Sequence, residues 1–291
     1  MLSTTVAHRP SPESIFAALE QRARRIRATC IQMAADGRQG HLSSALSCTD
    51  ILVALHSGWL KLSPASIKDP ARDRFLFSKG HACTAYYALL AELGFIERQL
   101  LASYAKNDSV LINHPCRHAL PALEISSGSL GHGLGMATGM LYGLRLKGIA
   151  ARGVVLMSDG ECNEGSVWEA AMFAAAQQLD RLVAIVDYNG LQAVGRSDVI
   201  MGHMPLEEKF RAFGWAAETV DGHDLRGLVA TLDRLPFAAG KPSAIIARTR
   251  GGQGVSFMTD RTLWHYRVPS SEEVEAALGE LGVRPIHRSH P

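Results

Sequence analysis

Residues 153–191 read GVVLMSDGECNEGSVWEAAMFAAAQQLDRLVAIVDYNGL, and this stretch decides the fold. Gly153 to Ser158 is a short, nearly uncharged run rich in β-branched residues, and Leu182 to Asp187 is another; both read as strands. Between them Val167, Ala170, Met172 and Ala174 to Ala176 recur at helical spacing, so the stretch is a βαβ unit. A right-handed crossover sets the carboxyl ends of two parallel strands side by side, which brings the turn after Ser158 to the turn after Tyr188. Asp159 and Asn189, thirty positions apart, occupy those turns. A carboxylate and a carboxamide oxygen are hard ligands suited to Mg²⁺ or Ca²⁺. Gly160 lets a bound group approach the backbone, and a helix opening near Glu164 turns its first N–H groups toward an anion. A metal-bridged diphosphate fits this pair of turns. Asp159 alone would read as a helix cap and Asn189 alone as a turn support; their occurrence at matching strand ends favours a site.

The pattern continues on both sides. Arg74 to Phe77 reads as a strand followed by a helix in SKGHACTAYYALLAELGF, with His81 near the strand end, where open α/β sheets collect ligands. Ala216 to Val220 and Ser243 to Thr249 read as further strands, separated by a helix capped by Asp224 and reaching Leu235. The expected architecture is α/β: one doubly wound, mostly parallel sheet of about five strands flanked by helices. The first helix starts at Ser11-Pro12-Glu13-Ser14 and buries a stripe of Ile15, Leu19, Ile26, Cys30 and Met33. GRQGHLSSALS at 37–47 interrupts it, carrying His41, before a helix from Thr49 to Leu60. Residues 111–121 are irregular and carry His114 and His118. A turn with Gly128, Gly131, Gly133 and Gly135 opens the next helix, either as a cofactor-hugging turn or as a tight helix entry. GGQGVSFMTDRTLWHYRV at 251–268 is a long loop with His265, and Ser270 with Glu273 forms a capping box for a last helix. Residues 1–10 read as a loose arm, 11–284 as one domain and 285–291 as a tail.

The chain has 291 residues, 47% of them hydrophobic, which is ample for a buried core, and a net charge of +2, which is no signature of a nucleic-acid binder. Arg22, Arg24, Arg25 and Arg27 read as a solvated or subunit-contacting helix face. The cysteines, Cys30, Cys48, Cys83, Cys116 and Cys162, are odd in number and widely spaced, which fits a reducing compartment and no zinc site. Cys162 is set apart because a thiolate would be stabilised in an anion-binding turn. The first residues lack the apolar core of a signal peptide and no run reaches membrane-spanning length. A cytoplasmic protein with neither a membrane nor a nucleic-acid partner is expected.

With these residues in view, the chain resembles the N-terminal, thiamine-diphosphate-binding half of transketolase. SDGECNEG followed by DYNGL looks like that family's signature, and GRQGHLSSALS, DRFLFSKGHAC, NHPCRHALPALEISSGSLGHG and Trp264-His265 follow in the family's order. The resemblance implies that Asp159, Asn189 and the Leu191 backbone carbonyl hold Mg²⁺ or Ca²⁺ against the diphosphate of thiamine diphosphate, with Gly160 as close-approach backbone. It implies cofactor contacts from His81, His265 and the turn Gly128-Ser129-Leu130, with Leu130 against the aminopyrimidine. His41, His114 and His265 would line the substrate channel as catalytic residues, and Glu164, catalytic and cofactor-binding, would belong to a carboxylate network crossing a subunit interface. The implied reaction is attack of a thiazolium ylid on a ketose carbonyl, C–C cleavage, and transfer of the two-carbon unit to an aldehyde.

The family's usual Gly-Asp-Gly here reads Ser158-Asp159-Gly160, its His-Pro-Gly loop His41-Leu42-Ser43, and its Gly-Pro-Leu turn Gly128-Ser129-Leu130. Tyr266 stands where a glycine commonly follows the late histidine. A full transketolase also carries a pyrimidine-binding domain and a C-terminal domain, which do not fit after residue 250. The resemblance therefore implies a split enzyme, this chain pairing with a C-terminal subunit as α₂β₂ and acting on sugar substrates. The alternatives are a subunit of another thiamine-diphosphate enzyme, of the 2-oxoacid dehydrogenase or 1-deoxyxylulose-phosphate synthase kind, or a non-catalytic regulatory subunit.

Overall fold

Five parallel strands make the central sheet in the order β1-β2-β3-β7-β6. In the computed structural model, which describes residues 11–202 and 205–283, the chain runs as follows. Helix α1 spans Pro12–Gly37, α2 Leu42–Ser47 and α3 Thr49–Ala54, the last running into a π-helical turn at Leu55–Trp59. Strand β1 (Arg74–Phe77) leads to α4 (Cys83–Glu92), and α5 (Gly133–Leu146) to β2 (Gly153–Ser158). Next come α6 (Gly165–Ala176), β3 (Leu182–Tyr188), and a two-strand antiparallel hairpin of β4 (Leu191–Gln192) with β5 (Gly195–Arg196). Helices α7 (Ser197–Met201) and α8 (Leu206–Ala212) precede β6 (Ala216–Asp221), then α9 (Leu225–Asp233), β7 (Ser243–Arg248) and α10 (Ser271–Leu281). The arm and tail expected at 1–10 and 285–291 lie outside the described residues.

Strands β1, β2, β3 and β7 are largely buried on both faces, while the edge strand β6 is half-exposed, and the side chains alternate between two cores. Phe75, Phe77, Val154, Leu156, Val183, Ile185 and Ile245 point into the core made with α1 to α4, α9 and α10. Leu76, Val155, Met157, Ala184, Val186 and Ile246 point into the core made with α5, α6 and α8. The chain steps from β1 through β2 to β3, jumps to the edge strand β6 past α8 on one face, and returns to β7 past α9 on the other. The loops leaving β3 and β7 therefore diverge, and this switch point is where a ligand crevice opens at the carboxyl edge.

Local signals act as the sequence implies. The Ser11 side chain accepts from Ser14 N–H at the start of α1, and Ser270 with Glu273 closes a reciprocal capping box on α10. Three expectations are corrected. The segment read as an interruption is helical from Leu42, because its three serines and two leucines are all buried against neighbours and the glycines stop at Gly40. Ile15 is 45% exposed and Met172 50% exposed, each falling just off the buried stripe of its helix. The arginine cluster is not one solvated face: Arg27 is buried, pairs with Asp50 at 2.6 Å and donates through Nε to the Leu46 carbonyl, while Arg25 pairs with Glu92 at 3.1 Å.

Candidate active site at the carboxyl edge of the sheet

Ser158 of β2 lies opposite Asp187 of β3, so the next residues of both strands enter neighbouring turns. The Asp159 carboxylate joins those turns. Its Oδ1 accepts from Gly160 N–H at 3.0 Å, capping the 3₁₀ turn Gly160–Asn163, while Oδ2 accepts from Gly190 N–H at 3.1 Å and Ser197 Oγ at 2.6 Å. It is therefore both a cap and a cross-strand tie. Burial pushes the Asp159 carboxyl up to about 6 against the pull of the Ser197 hydrogen bond, and the neighbouring Asp187 adds to the rise. Asn189 is 6% exposed; its Oδ1 accepts from Leu191 N–H at 2.9 Å and its Nδ2 donates to Ser47 Oγ at 3.2 Å. A Cβ on Gly160 would lie 3.2 Å from Gln192, whose own Nε2 is buried without a partner.

Beside these turns stand four imidazoles. The His41 ring centroid lies 5.8 Å from that of His81, 6.2 Å from His114 and 5.5 Å from His265. His41 adopts left-handed backbone, φ 66°, and its N–H donates to the His265 carbonyl at 2.7 Å, so residues far apart in sequence are clamped together. His81 Nε2 pairs with Ser44 Oγ at 2.8 Å. All four rings are held below the usual histidine range, chiefly by burial, and His41 is pushed down to about 4 with help from His265 and His114. They are neutral at pH 7, so each ring can donate at one nitrogen and accept at the other. Nδ1 of His41 and Nδ1 of His265 are buried with no partner, as is Ser43 Oγ. Buried polar atoms are rarely left so, and these mark where a polar ligand belongs.

The glycine-rich turn closes the site from a third side. A Cβ on Gly128 would meet the His114 ring at 3.2 Å, so this turn lies directly on that histidine. Gly131, at φ +85°, is held at both ends: its N–H donates to Glu161 Oε1 at 2.9 Å and its carbonyl accepts from Ser166 Oγ at 2.9 Å. Ser129 is exposed and Leu130 half-buried. Glu161 is fully buried, also accepts from Ser78 Oγ, and has an unpartnered Oε2; burial pushes its carboxyl up. Glu164, the N-cap residue of α6, is exposed, makes no side-chain cap and lies against Gly131. Cys162 corrects the sequence reading: its thiol is buried and pushed well up by burial and by the Glu161 and Asp159 carboxylates, so the turn stabilises no thiolate.

The structure thus gathers Asp159, Gly160, Asn189 and Leu191 at one edge, and His41, His81, His114 and His265 beside the turn at Gly128. Sequence reading missed several partners. Ser197, Ser44, Gln192 and Glu161 give no signal of their own in the sequence. Lys79 and Asp187 are both 0% exposed and ion-paired, and here a signal existed: a charged residue inside an apolar strand needs a buried counter-charge. Tyr266 packs its ring edge-on to His41 and His265, both at 4.8 Å.

Among the described residues no group of three His, Cys, Asp or Glu could hold a metal by themselves. One buried carboxylate, a carboxamide and backbone oxygens fit a cation that arrives with oxygens of its own, as on a diphosphate. The glycine cradle at Gly160 and the unpartnered polar atoms fit the accompanying organic group.

A site at the carboxyl edge of a doubly wound parallel sheet is where such folds collect their ligands, and the comparisons narrow the class. The model of the transketolase thiamine diphosphate binding domain matches residues 19–289. The chain is 40% identical to an apulose-4-phosphate transketolase subunit of Actinobacillus succinogenes over 90% of this chain and 95% of that one. It is 36% identical to a 6-deoxy-6-sulfo-D-fructose transketolase subunit of a Clostridium species over 83% and 88%. The crystal structure of Campylobacter jejuni transketolase is 26% identical, with a TM-score of 0.86, over 93% of this chain and 44% of that chain. The chain belongs to the transketolase family and carries its thiamine-diphosphate-binding domain; it spans less than half the length of that crystallised enzyme.

Proposed function

We propose that this chain is the diphosphate-holding subunit of a two-subunit transketolase, which moves a two-carbon ketol unit from a ketose or ketose phosphate to an aldehyde acceptor. The observation that carries the reading is the Asp159 carboxylate spanning both strand-end turns beside four neutral histidines. Asp159, the Asn189 carboxamide oxygen and the Leu191 carbonyl would hold Mg²⁺ or Ca²⁺ against the diphosphate, with Gly160 beneath it. Thiamine diphosphate, when bound, supplies a carbon nucleophile for the ketose carbonyl and a sink for the electrons of the broken C–C bond. His81 and the turn Gly128-Ser129-Leu130 would fix the position of the cofactor. His41, His114 and His265 would bond substrate hydroxyls and move protons, since a neutral ring offers a donor and an acceptor at once. The free Nδ1 atoms of His41 and His265 support that role.

A second subunit is supported by near full-length likeness to chains named as subunits. Glu164 is exposed at the start of α6, and Met136, Met172 and Phe173 are exposed apolar residues on the neighbouring helices α5 and α6. Such surface suits a protein contact, and an α₂β₂ assembly follows from two-fold pairing of a split dimer. Apulose-4-phosphate and 6-deoxy-6-sulfo-D-fructose, named for relatives, head the substrate panel. The test incubates the chain, alone and with its second subunit, with thiamine diphosphate, Mg²⁺ and a panel of ketoses and aldehydes. Turnover only by the pair is expected. Turnover by the chain alone would overturn the split assignment, and silence of the pair on every ketose would favour a regulatory subunit.

A further inference from the structure

We infer that Ser47 is a positioning residue for the divalent cation, fixing which end of the Asn189 carboxamide faces it; the inference rests on Asp159, Asn189 and Leu191 being the cation's ligands. A carboxamide has a donor end and an acceptor end, and only its oxygen can ligate a metal. Rotation by half a turn would present NH₂ to the cation instead.

The surroundings forbid that rotation. Ser47 Oγ lies 2.6 Å from Asp187 Oδ2 and 3.0 Å from the Ser44 carbonyl, and both atoms are acceptors that take its single proton. Whichever receives it, the hydroxyl has only lone pairs left for Asn189, so the group facing it at 3.2 Å must be the Nδ2 donor. The Asn189 oxygen is thereby turned the other way, where the Leu191 N–H meets it at 2.9 Å on the side of the Asp159 turn. Asp187 is kept in its accepting role by Lys79 Nζ and Thr249 Oγ1. The relay is buried, and Ser47, Lys79 and Asp187 within it are 0% exposed. One turn of α2 thus serves two parts of the site, Ser44 bonding His81 and Ser47 orienting Asn189. Partners that orient metal ligands typically change metal affinity by about 10–100-fold.

A double-mutant cycle separates orientation from general support. The full chain, with its second subunit, is loaded with thiamine diphosphate and titrated with Mn²⁺, bound metal being read by electron paramagnetic resonance. Ser47→Ala is expected to weaken Mn²⁺ binding about 10-fold. In an Asn189→Asp background the two oxygens are equivalent, no orientation is needed, and Ser47→Ala should change affinity less than about twofold. Equal losses in both backgrounds, or no loss in the first, would overturn the proposal while leaving the ligand assignment standing. If the unmodified protein takes up no cofactor-dependent Mn²⁺, the ligand assignment itself falls and the proposal with it. Should Ser47→Ala not fold, Ser47→Cys repeats the cycle, because a thiol of similar size is a poor acceptor for an amide.

Discussion

Burial holds His56, which lies outside the candidate site, below the usual histidine range just as it holds the four site histidines. His56 Nδ1 lies 2.9 Å from the Leu52 carbonyl, its Nε2 has no partner, and its ring packs edge-on to Phe75. Burial pushes it from 6.5 down to about 4. Below pH 6.5 the unfolded chain therefore takes up a proton that the folded chain refuses, so stability is fully present above that pH and falls as pH drops toward about 4. This group removes up to about 1.4 kcal/mol per pH unit across that window. His56→Phe should flatten the fall of melting temperature between pH 6.5 and 4; an unchanged slope would place the acid sensitivity elsewhere. At this scale the sequence exposed the residues that end strands or open loops: Asp159, Asn189 and the four histidines. It hid Ser47, Ser197 and Ser44, because a serine becomes functional only through what folding sets opposite it, 142 positions away for Ser47 and Asn189.

Short elements and turns set the precision of the site. Helix α2 is only six residues long, yet it supplies a partner to His81, one to Asn189 and one to Lys79. The Lys79–Asp187 pair behind it is wholly buried; desolvation acts to lower the lysine, and the combined pull of Asp187, Cys48 and Asp159 nevertheless holds it raised. Removing one partner of such a pair strands the other. Lys79→Met is expected to cost about 3–5 kcal/mol in denaturant unfolding, and a loss under ~1 kcal/mol would mean the carboxylate finds other support. The turn at Gly131 is the second such element. A Cβ there would sit 2.6 Å from Glu164 Cβ, on a backbone of φ +85° that an L side chain rarely adopts. Gly131→Ala should shift the turn that leans on His114 and weaken thiamine diphosphate binding measured by calorimetry, with the melting transition still cooperative. Unaltered affinity would detach this turn from the cofactor. The periodic elements were legible from alternation and helical spacing, whereas α2 was not: its run of serines reads as loop until burial between neighbours is known.

At the scale of the whole molecule, the sheet order explains why the site lies where it does. Loops leaving β3 and β7 diverge at the switch point, β2 delivers Asp159 beside them, and the segments bearing His41, His114 and His265 arch over the same edge. The order of strands was foreseeable only in part, since a βα alternation predicts a parallel sheet without saying that β6 takes the edge and β7 returns inside it. The proposed second subunit rests on resemblance, because no periodicity within one chain encodes a second. The edge formed by Asp159 and Asn189 is proposed above all to grip a cofactor diphosphate through a divalent cation. Calorimetric titration of the protein, with the proposed second subunit, by thiamine diphosphate tests this most directly, run with Mg²⁺ and with chelator, on the natural chain and on Asp159→Ala. Binding is expected to require Mg²⁺ in the natural chain and to collapse at least ~10-fold in the variant while its melting transition is kept; equal affinity in both proteins, or binding indifferent to Mg²⁺, would contradict the proposed grip.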